Sequence, residues 1–177
     1  MLYLISDTHF NHKNIIEYEN RPFQDVQSMN AAMIKNWNNL VNPNDIVIHL
    51  GDVGLGSESQ LKEIIPQLNG VKVLIRGNHD RKSDNFFLDC GFIKIYRTLM
   101  ITVDGKKIYL SHTPESRPGD GEKYDLHMFG HVHTKGDYPD FCHNGACVCV
   151  ERWNYAPINL KALIGMCERS TIIEERI

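Results

Sequence analysis

No stretch of this sequence approaches the ~20 consecutive apolar residues that a bilayer-spanning helix needs, so no membrane partner is expected. Positive charge is not in excess either. Lysine and arginine number 19 against 22 aspartates and glutamates, a formal net charge of −3. That balance removes the broad basic footprint of a nucleic-acid or anionic-membrane binder and leaves room only for a local patch. Repeats, low-complexity tracts and linkers are absent. The opening MLYLISDTHF turns polar after five residues, unlike a secretory leader, and a cytoplasmic location is the expectation. Cysteines are few and odd in number: Cys90, Cys142, Cys147, Cys149 and Cys167. They read as reduced, mostly buried thiols rather than a disulfide framework. A zinc site from Cys142, His143, Cys147 and Cys149 is rejected. The spacings match no standard knuckle, and ACVCV alternates like a strand whose thiols share one face.

What is there is enough for one domain over residues 1–177, a length that buries roughly 70% of its unfolded surface without cross-links. LYLI (2–5), IVIHL (46–50) and VKVLI (71–75) read as buried strands. Between them, residues 28–41 carry helical spacing with Ser28 as N-cap, and residues 58–68 form a second helix. Helical crossovers between apolar strands imply parallel pairing. The later chain is richer in strands. IKIYRTLMITV and KKIYLSH meet at Asp104-Gly105, a hairpin signal. DLHMFGHVH and ACVCV add two strands, residues 159–168 a helix opened by Asn159, and TIIEERI a closing strand.

Five of these strands end alike. LYLIS runs into Asp7-Thr8-His9, IVIHL into Gly51-Asp52, and VKVLI into Gly77-Asn78-His79-Asp80. KIYLS runs into His112 and HMF into Gly130-His131-Val132-His133. A turn needs glycine and asparagine, but not histidine and aspartate beside them. Ligands of open α/β sheets bind at the C-terminal ends of strands. Asp and Asn oxygens with His nitrogens suit Mn, Fe or Zn better than an all-oxygen calcium cage. Extended alternation would put Asp7 and His9 on one side, and likewise His131 and His133. The seven candidates Asp7, His9, Asp52, Asn78, His112, His131 and His133 are too many for one tetrahedral ion. They suit two ions sharing a carboxylate, a standard device for phosphoryl chemistry. Gly51, Gly77 and Gly130 permit tight strand exits beside them.

The ordered set D-x-H at 7–9, G-D at 51–52, G-N-H-D at 77–80, H at 112 and G-H-x-H at 130–133 resembles the calcineurin-like metallophosphoesterases. THFNHKNII and RPF are similar to a small branch of predicted phosphoesterases of bacterial or phage type. The resemblance implies a four-layer α/β/β/α sandwich with mixed sheets. It implies that Asp7, His9, Asp52 and His133 bind one divalent ion, and that Asp52, Asn78, His112 and His131 bind the other, with Asp52 bridging. A metal-bridging hydroxide would attack phosphorus, and His79 would act as general acid or donate a hydrogen bond to phosphate. Manganese is the first choice, with iron or zinc as alternatives. The chain departs from the protein-phosphatase branch. Leu55 stands where that branch would orient His79 with a carboxylate, and Gly56 where it has a phosphate-gripping arginine.

His12, Arg21 and Arg117 are further candidates for substrate contact, since a guanidinium matches phosphate bidentately. Arg117 belongs to the polar loop TPESRPGDGEKYD, a candidate lid. Arg76 is expected to brace the site, His49 and His127 to stand behind it, and Trp37 to be core. The expected function is hydrolysis of a small phosphodiester or nucleotide-like ester. A nuclease or phosphomonoesterase is the alternative, and a metal-binding interaction scaffold the non-enzyme one. The substrate partner is a small phosphate ester; nucleic acid is less favoured, because tracking a strand usually takes a positive groove.

Overall fold

The computed structural model describes residues 1–174. In chain order the elements are β1 (Leu2–Ile5), α1 (Ile15–Tyr18), α2 (Val26–Leu40), β2 (Ile46–His49), α3 (Glu58–Ile64), β3 (Val71–Ile75), α4 (Asp84–Asp89), β4 (Phe92–Tyr96), β5 (Thr98–Val103), β6 (Lys106–Ser111), β7 (Leu126–Phe129), β8 (Phe141–Cys142), β9 (Gly145–Cys147), β10 (Ile158–Asn159) and α5 (Leu160–Glu174). They build two five-stranded mixed sheets, ordered β10-β1-β2-β3-β4 and β5-β6-β7-β9-β8. The expected parallel pairing of β1, β2 and β3 is present, and β4 joins them in the same sense. Asp104 and Gly105, at φ 50° and 81°, make the two-residue turn between β5 and β6. Both turn residues at positive φ is the condition that makes Asp-Gly a hairpin signal.

Strand alternation sorts the core into two compartments. Tyr3, Ile5, Val47 and Leu74 face Met29, Met33 and Trp37 of α2, Leu61 and Ile64 of α3, and Phe86 and Phe87 of α4. Leu4, Ile48 and Ile75 face the other way, onto Ile108, Leu110, Leu126, Met128 and Ala146 of the second sheet. The helices gather on one side of the sandwich and at the inter-sheet core. α2, α3 and α4 cover the first sheet, while α5 packs Leu160, Leu163 and Ile164 into the inter-sheet core. On the outer face of the second sheet, loop side chains do the covering: Tyr124 stacks on Tyr109, and Tyr138 meets Phe129 edge-on. None of the helices is long and apolar enough to cross a membrane, among the described residues.

Local chemistry moves three boundaries from their sequence positions. α2 starts at Val26, because Asp25 is the N-cap, accepting from the Ser28 backbone N–H. Ser28 is instead the third residue of the helix and returns a bond to the Asp25 backbone N–H at 3.2 Å, a reciprocal capping box. α3 ends at Ile64 and tightens into a 3-10 turn over Ile65–Gln67, where Pro66 has no N–H to continue the α-helical ladder. The Asn159 side chain caps α5 through Ala162 N, as expected, but the helix continues to Glu174. The strand expected at 171–177 is therefore helix up to Glu174, and its remainder lies outside the described residues.

Candidate metal centre

The side chains that leave β1, β2, β3, β6 and β7 meet at one end of the sandwich. Asp7, His9 and His133 bring ligand atoms within 4.8 Å of one another, and so do Asp52, His112 and His131. Asn78 joins the second group, its Oδ1 2.9 Å from His112 Nε2. One oxygen stands between the groups: Asp52 Oδ2 is 3.6 Å from His9 Nε2 and 3.5 Å from His112 Nε2. His133 Nε2 lies 3.5 Å from Asp7 Oδ1.

The backbone does not reach this arrangement in the extended form that the D-x-H and H-x-H alternation implies. Asp7, His9, Asp52, His131 and His133 all have positive φ, between 46° and 71°. Each such residue costs on the order of 1–3 kcal/mol and persists only where its surroundings over-determine it. The left-handed turns rotate successive side chains instead of alternating them. As a result His131 and His133 go to different groups. Two glycines allow the backbone to come this close. A Cβ at Gly77 would strike Asp52 Oδ1, and one at Gly130 would strike Asp7 Oδ2 and Ser6 Oγ.

These donors fit divalent transition-metal ions. Asp7 Oδ1 and both ring nitrogens of His9 are buried and have no hydrogen-bond partner among the described residues, an arrangement a protein does not normally keep for nothing. His112 Nδ1 lies 2.8 Å from the Leu50 carbonyl and His133 Nδ1 lies 2.9 Å from Glu151 Oε1. Such outer bonds take the proton on Nδ1 and turn Nε2 inward as the lone-pair donor, the usual support of a ligating imidazole. Electrostatics agree. Burial opposes ionisation of Asp52, yet His112, His9 and the His79 backbone N–H hold its carboxyl down at about 2. Burial likewise lowers His112, but Asp52 and Asp7 outweigh it and raise the group to about 9. His9 is pushed down to about 2 by burial and is neutral.

The residues around the groups divide clearly. The His79 ring lies 5.5 Å from the His9 ring, and the His12 ring 5.4 Å from it. Both therefore border the site. His79 N donates to Asp52 Oδ1 at 2.8 Å. Asp80 does not orient His79: its buried carboxylate accepts from the backbone N–H of Asp52, Val53 and Gly77 and ties the two loops together. Arg21 is not placed for substrate. It is 3% exposed and donates to the carbonyls of Asp7 (2.7 Å) and Thr8 (2.9 Å) and to Glu151 Oε1. Arg117 is also turned elsewhere. It donates to the Pro114 and Ser116 carbonyls and borders a separate cavity of about 270 Å³ with Tyr124, His127 and Tyr138. Arg76 braces as expected, pairing with Asp84 and donating to the carbonyls of Asp80 and Lys82. His49 stands behind the site, bonded to Thr8 Oγ1 and Gly51 N, and Trp37 is core.

Residues 1–146 match the model of the calcineurin-like phosphoesterase superfamily domain. The chain belongs to that superfamily. As a calcineurin-like phosphoesterase it is a metal-dependent hydrolase of phosphoester bonds. The uncharacterized protein MJ1445 of Methanocaldococcus jannaschii is 38% identical over 177 residues, covering 97% of this chain and 94% of that protein. The gene 66 protein of Mycobacterium phage L5 is 38% identical over 78 residues, 42% of this chain and 37% of its own length. The crystal structure of AQ665, a protein of unknown function from Aquifex aeolicus, superposes with a TM-score of 0.73 at 30% identity, over 94% of this chain and 98% of that one.

Two site residues of this phosphoesterase escaped the sequence reading. Glu151 holds His133 and Arg21 together, and the Cys149 thiol lies 3.2 Å from Asp7 Oδ2. The signal for Glu151 was present, since it directly follows the apolar run ACVCV as Asp7 directly follows LYLIS.

Acid should weaken the metal-stripped fold. Burial lowers His49 to about 3 and His127 to about 4, as it lowers His9. The folded state keeps these rings neutral, while the unfolded chain protonates them near pH 6.5, so the contribution of these three rings is full above 6.5 and falls below it. Asp80, raised to about 6 by burial, offsets part of the loss below pH 6. The expected net loss is roughly 2 kcal/mol per pH unit between 6 and 4. Urea midpoints at pH 7, 6 and 5 would read it, with a shallower slope in His127→Gln; flat midpoints would contradict it.

Proposed function

We propose that this chain is one catalytic domain, a binuclear phosphoesterase for a small phosphodiester or nucleotide-like ester. The supporting observation is the position of Asp52 Oδ2, 3.6 Å from His9 Nε2 and 3.5 Å from His112 Nε2. A single carboxylate oxygen shared by two donor groups is what a bridging ligand requires. Asp7, His9, Asp52 and His133 would hold one ion, and Asp52, Asn78, His112 and His131 the other. Manganese is the proposed metal, suited to this mixture of oxygen and imidazole donors. Ions bound there supply an activated water and neutralise phosphate oxygens.

The chain's own residues do the rest. His79 and His12 border the site beside His9 and face the incoming ester. His79 donates a proton to the leaving-group oxygen, and His12 a hydrogen bond to phosphate. Arg21 and Glu151 keep the Asp7-Thr8 backbone and the His133 ring in place. The net charge of −3 favours a small ester over a long nucleic-acid strand. Reduced thiols fit a cytoplasmic setting.

The test uses metal-stripped protein, Mn²⁺ restored, and a matched pair of aryl phosphate esters. Metal-dependent turnover with the diester ahead of the monoester is the expected result. A faster monoester would reverse the substrate class. Two bound ions with no turnover of either would point to a scaffold. His79→Ala should lower kcat by ~10²–10⁴, the usual contribution of a general acid, without changing metal content. An equal loss for a substrate with a very acidic leaving group would remove the general-acid role, because such a group needs no proton.

A further inference from the structure

A cavity of about 480 Å³ opens beside Asn78 and His112, and no role described so far uses it. Its other walls include Ile95, Tyr96, Arg97, Thr113 and Ser116, with Arg76, Gly77 and Asp84 also at its border. The fold fixes Arg97 there. β4 ends at Tyr96, whose carbonyl accepts from Arg76 N at 2.9 Å, two residues before Asn78. β5 begins at Thr98, paired with Ser111, the residue before His112. Arg97 is therefore the single residue at the corner where the chain passes from one sheet to the other, between the exits of β3 and β6. The two arginines of the cavity differ. The Arg76 guanidinium is committed to Asp84 and two carbonyls. The Arg97 guanidinium is exposed and has no ion pair or hydrogen bond among the described residues.

We propose that this cavity takes the second substituent of the phosphodiester, and that Arg97 binds a further phosphate at its far end. The substrate class is thus a nucleotide-like diester with a second, terminal phosphate. The inference rests on the phosphoesterase reading and adds a specificity-determining residue to it. The volume lies within the usual range of ~300–1,000 Å³ for small-molecule sites. Ile95 and Tyr96 give an apolar wall for a sugar or base, Thr113 and Ser116 give hydroxyls, and a guanidinium matches phosphate oxygens bidentately.

Two p-nitrophenyl esters of thymidine 5′-phosphate, one with a free 3′-hydroxyl and one with a 3′-phosphate, separate the outcomes. The native enzyme should prefer the 3′-phosphorylated ester about tenfold in kcat/KM, mainly through KM, as binding shared by ground and transition state does. Arg97→Ala should bring the ratio near one, and Arg97→Lys should keep part of it. Added salt should shrink the preference, since the contact is exposed. Equal turnover of the two esters by the native enzyme, or a preference that survives Arg97→Ala, overturns the subsite and leaves the phosphoesterase reading intact. If neither ester is turned over, calorimetric binding of thymidine 3′,5′-bisphosphate against thymidine 5′-phosphate decides. Tighter bisphosphate binding that Arg97→Ala abolishes keeps the subsite while hydrolysis fails. Equal binding overturns the subsite alone.

Discussion

Asp52→Asn should lower metal-dependent hydrolysis by at least ~10³-fold while leaving the fold in place. Preorganised charge at the reacting centre is commonly worth ~10²–10³ for a single donor, and this residue serves two donor groups at once. Its carboxyl is held at about 2, so it is fully ionised at neutral pH and the substitution removes a whole charge. Asparagine is nearly isosteric, and its carbonyl oxygen can still accept from His79 N, the contact Asp52 Oδ1 makes at 2.8 Å. Loss of activity should therefore come with loss of bound metal and of Mn²⁺-induced thermal stabilisation, since a ligand that binds only the native state raises its stability. Circular dichroism of the metal-free variant should match that of the metal-free native protein. Turnover within tenfold of native, with two ions still bound, would end the bridging assignment.

Arg21→Met should destabilise the protein by about 3–5 kcal/mol, the usual result of removing one partner from a buried ion pair. For a chain of this length that is roughly 10 °C in Tm. The guanidinium bonds to Glu151 Oε1 through two nitrogens at 3.0 and 2.6 Å, and also holds the carbonyls of Asp7 and Thr8. Methionine fills the space but leaves those carbonyls unpaired and Glu151 with only His133. Metal affinity should fall ~10–100-fold as well, because His133 and the strained Asp7 backbone lose their support. Thermal melts with and without Mn²⁺ separate the two losses. A variant with native Tm and metal affinity but raised KM would return Arg21 to the role of substrate contact.

The ligand set was legible because each strand changes abruptly from apolar to polar at its C-terminal end, and those ends share one edge of parallel strands. The hairpin at Asp104-Gly105 was legible for a related reason: few dipeptides accept two positive φ values. Other features depend on partners distant in the chain. Arg21 meets Glu151 across 130 positions, and a guanidinium suits carboxylate and phosphate equally, so residue type alone could not choose between them. The family resemblance divided His131 and His133 between the two groups, but the left-handed backbone at both residues that accompanies this division is not announced by the alternation of G-H-x-H. Helix α4, at six residues, is too short to show a period. The β-branched run Thr171-Ile172-Ile173 favours strand locally, yet α5 continues as a helix through it to Glu174.

Each donor group draws on both sheets. Asp7 and His9 follow β1 in the first sheet, whereas His133 follows β7 in the second; Asp52 and Asn78 follow β2 and β3, whereas His112 and His131 follow β6 and β7. Ions held there would work as a clasp across the mouth of the sandwich, closing chain loops as long as the one from Asp7 to His133. Closure of so long a loop is otherwise held mainly by the apolar contacts between the sheets, and its entropic cost rises only slowly with length. Chelation should thus loosen the mouth first, and amide exchange should quicken around residues 7–9 and 130–133 well before it does in the strands behind them.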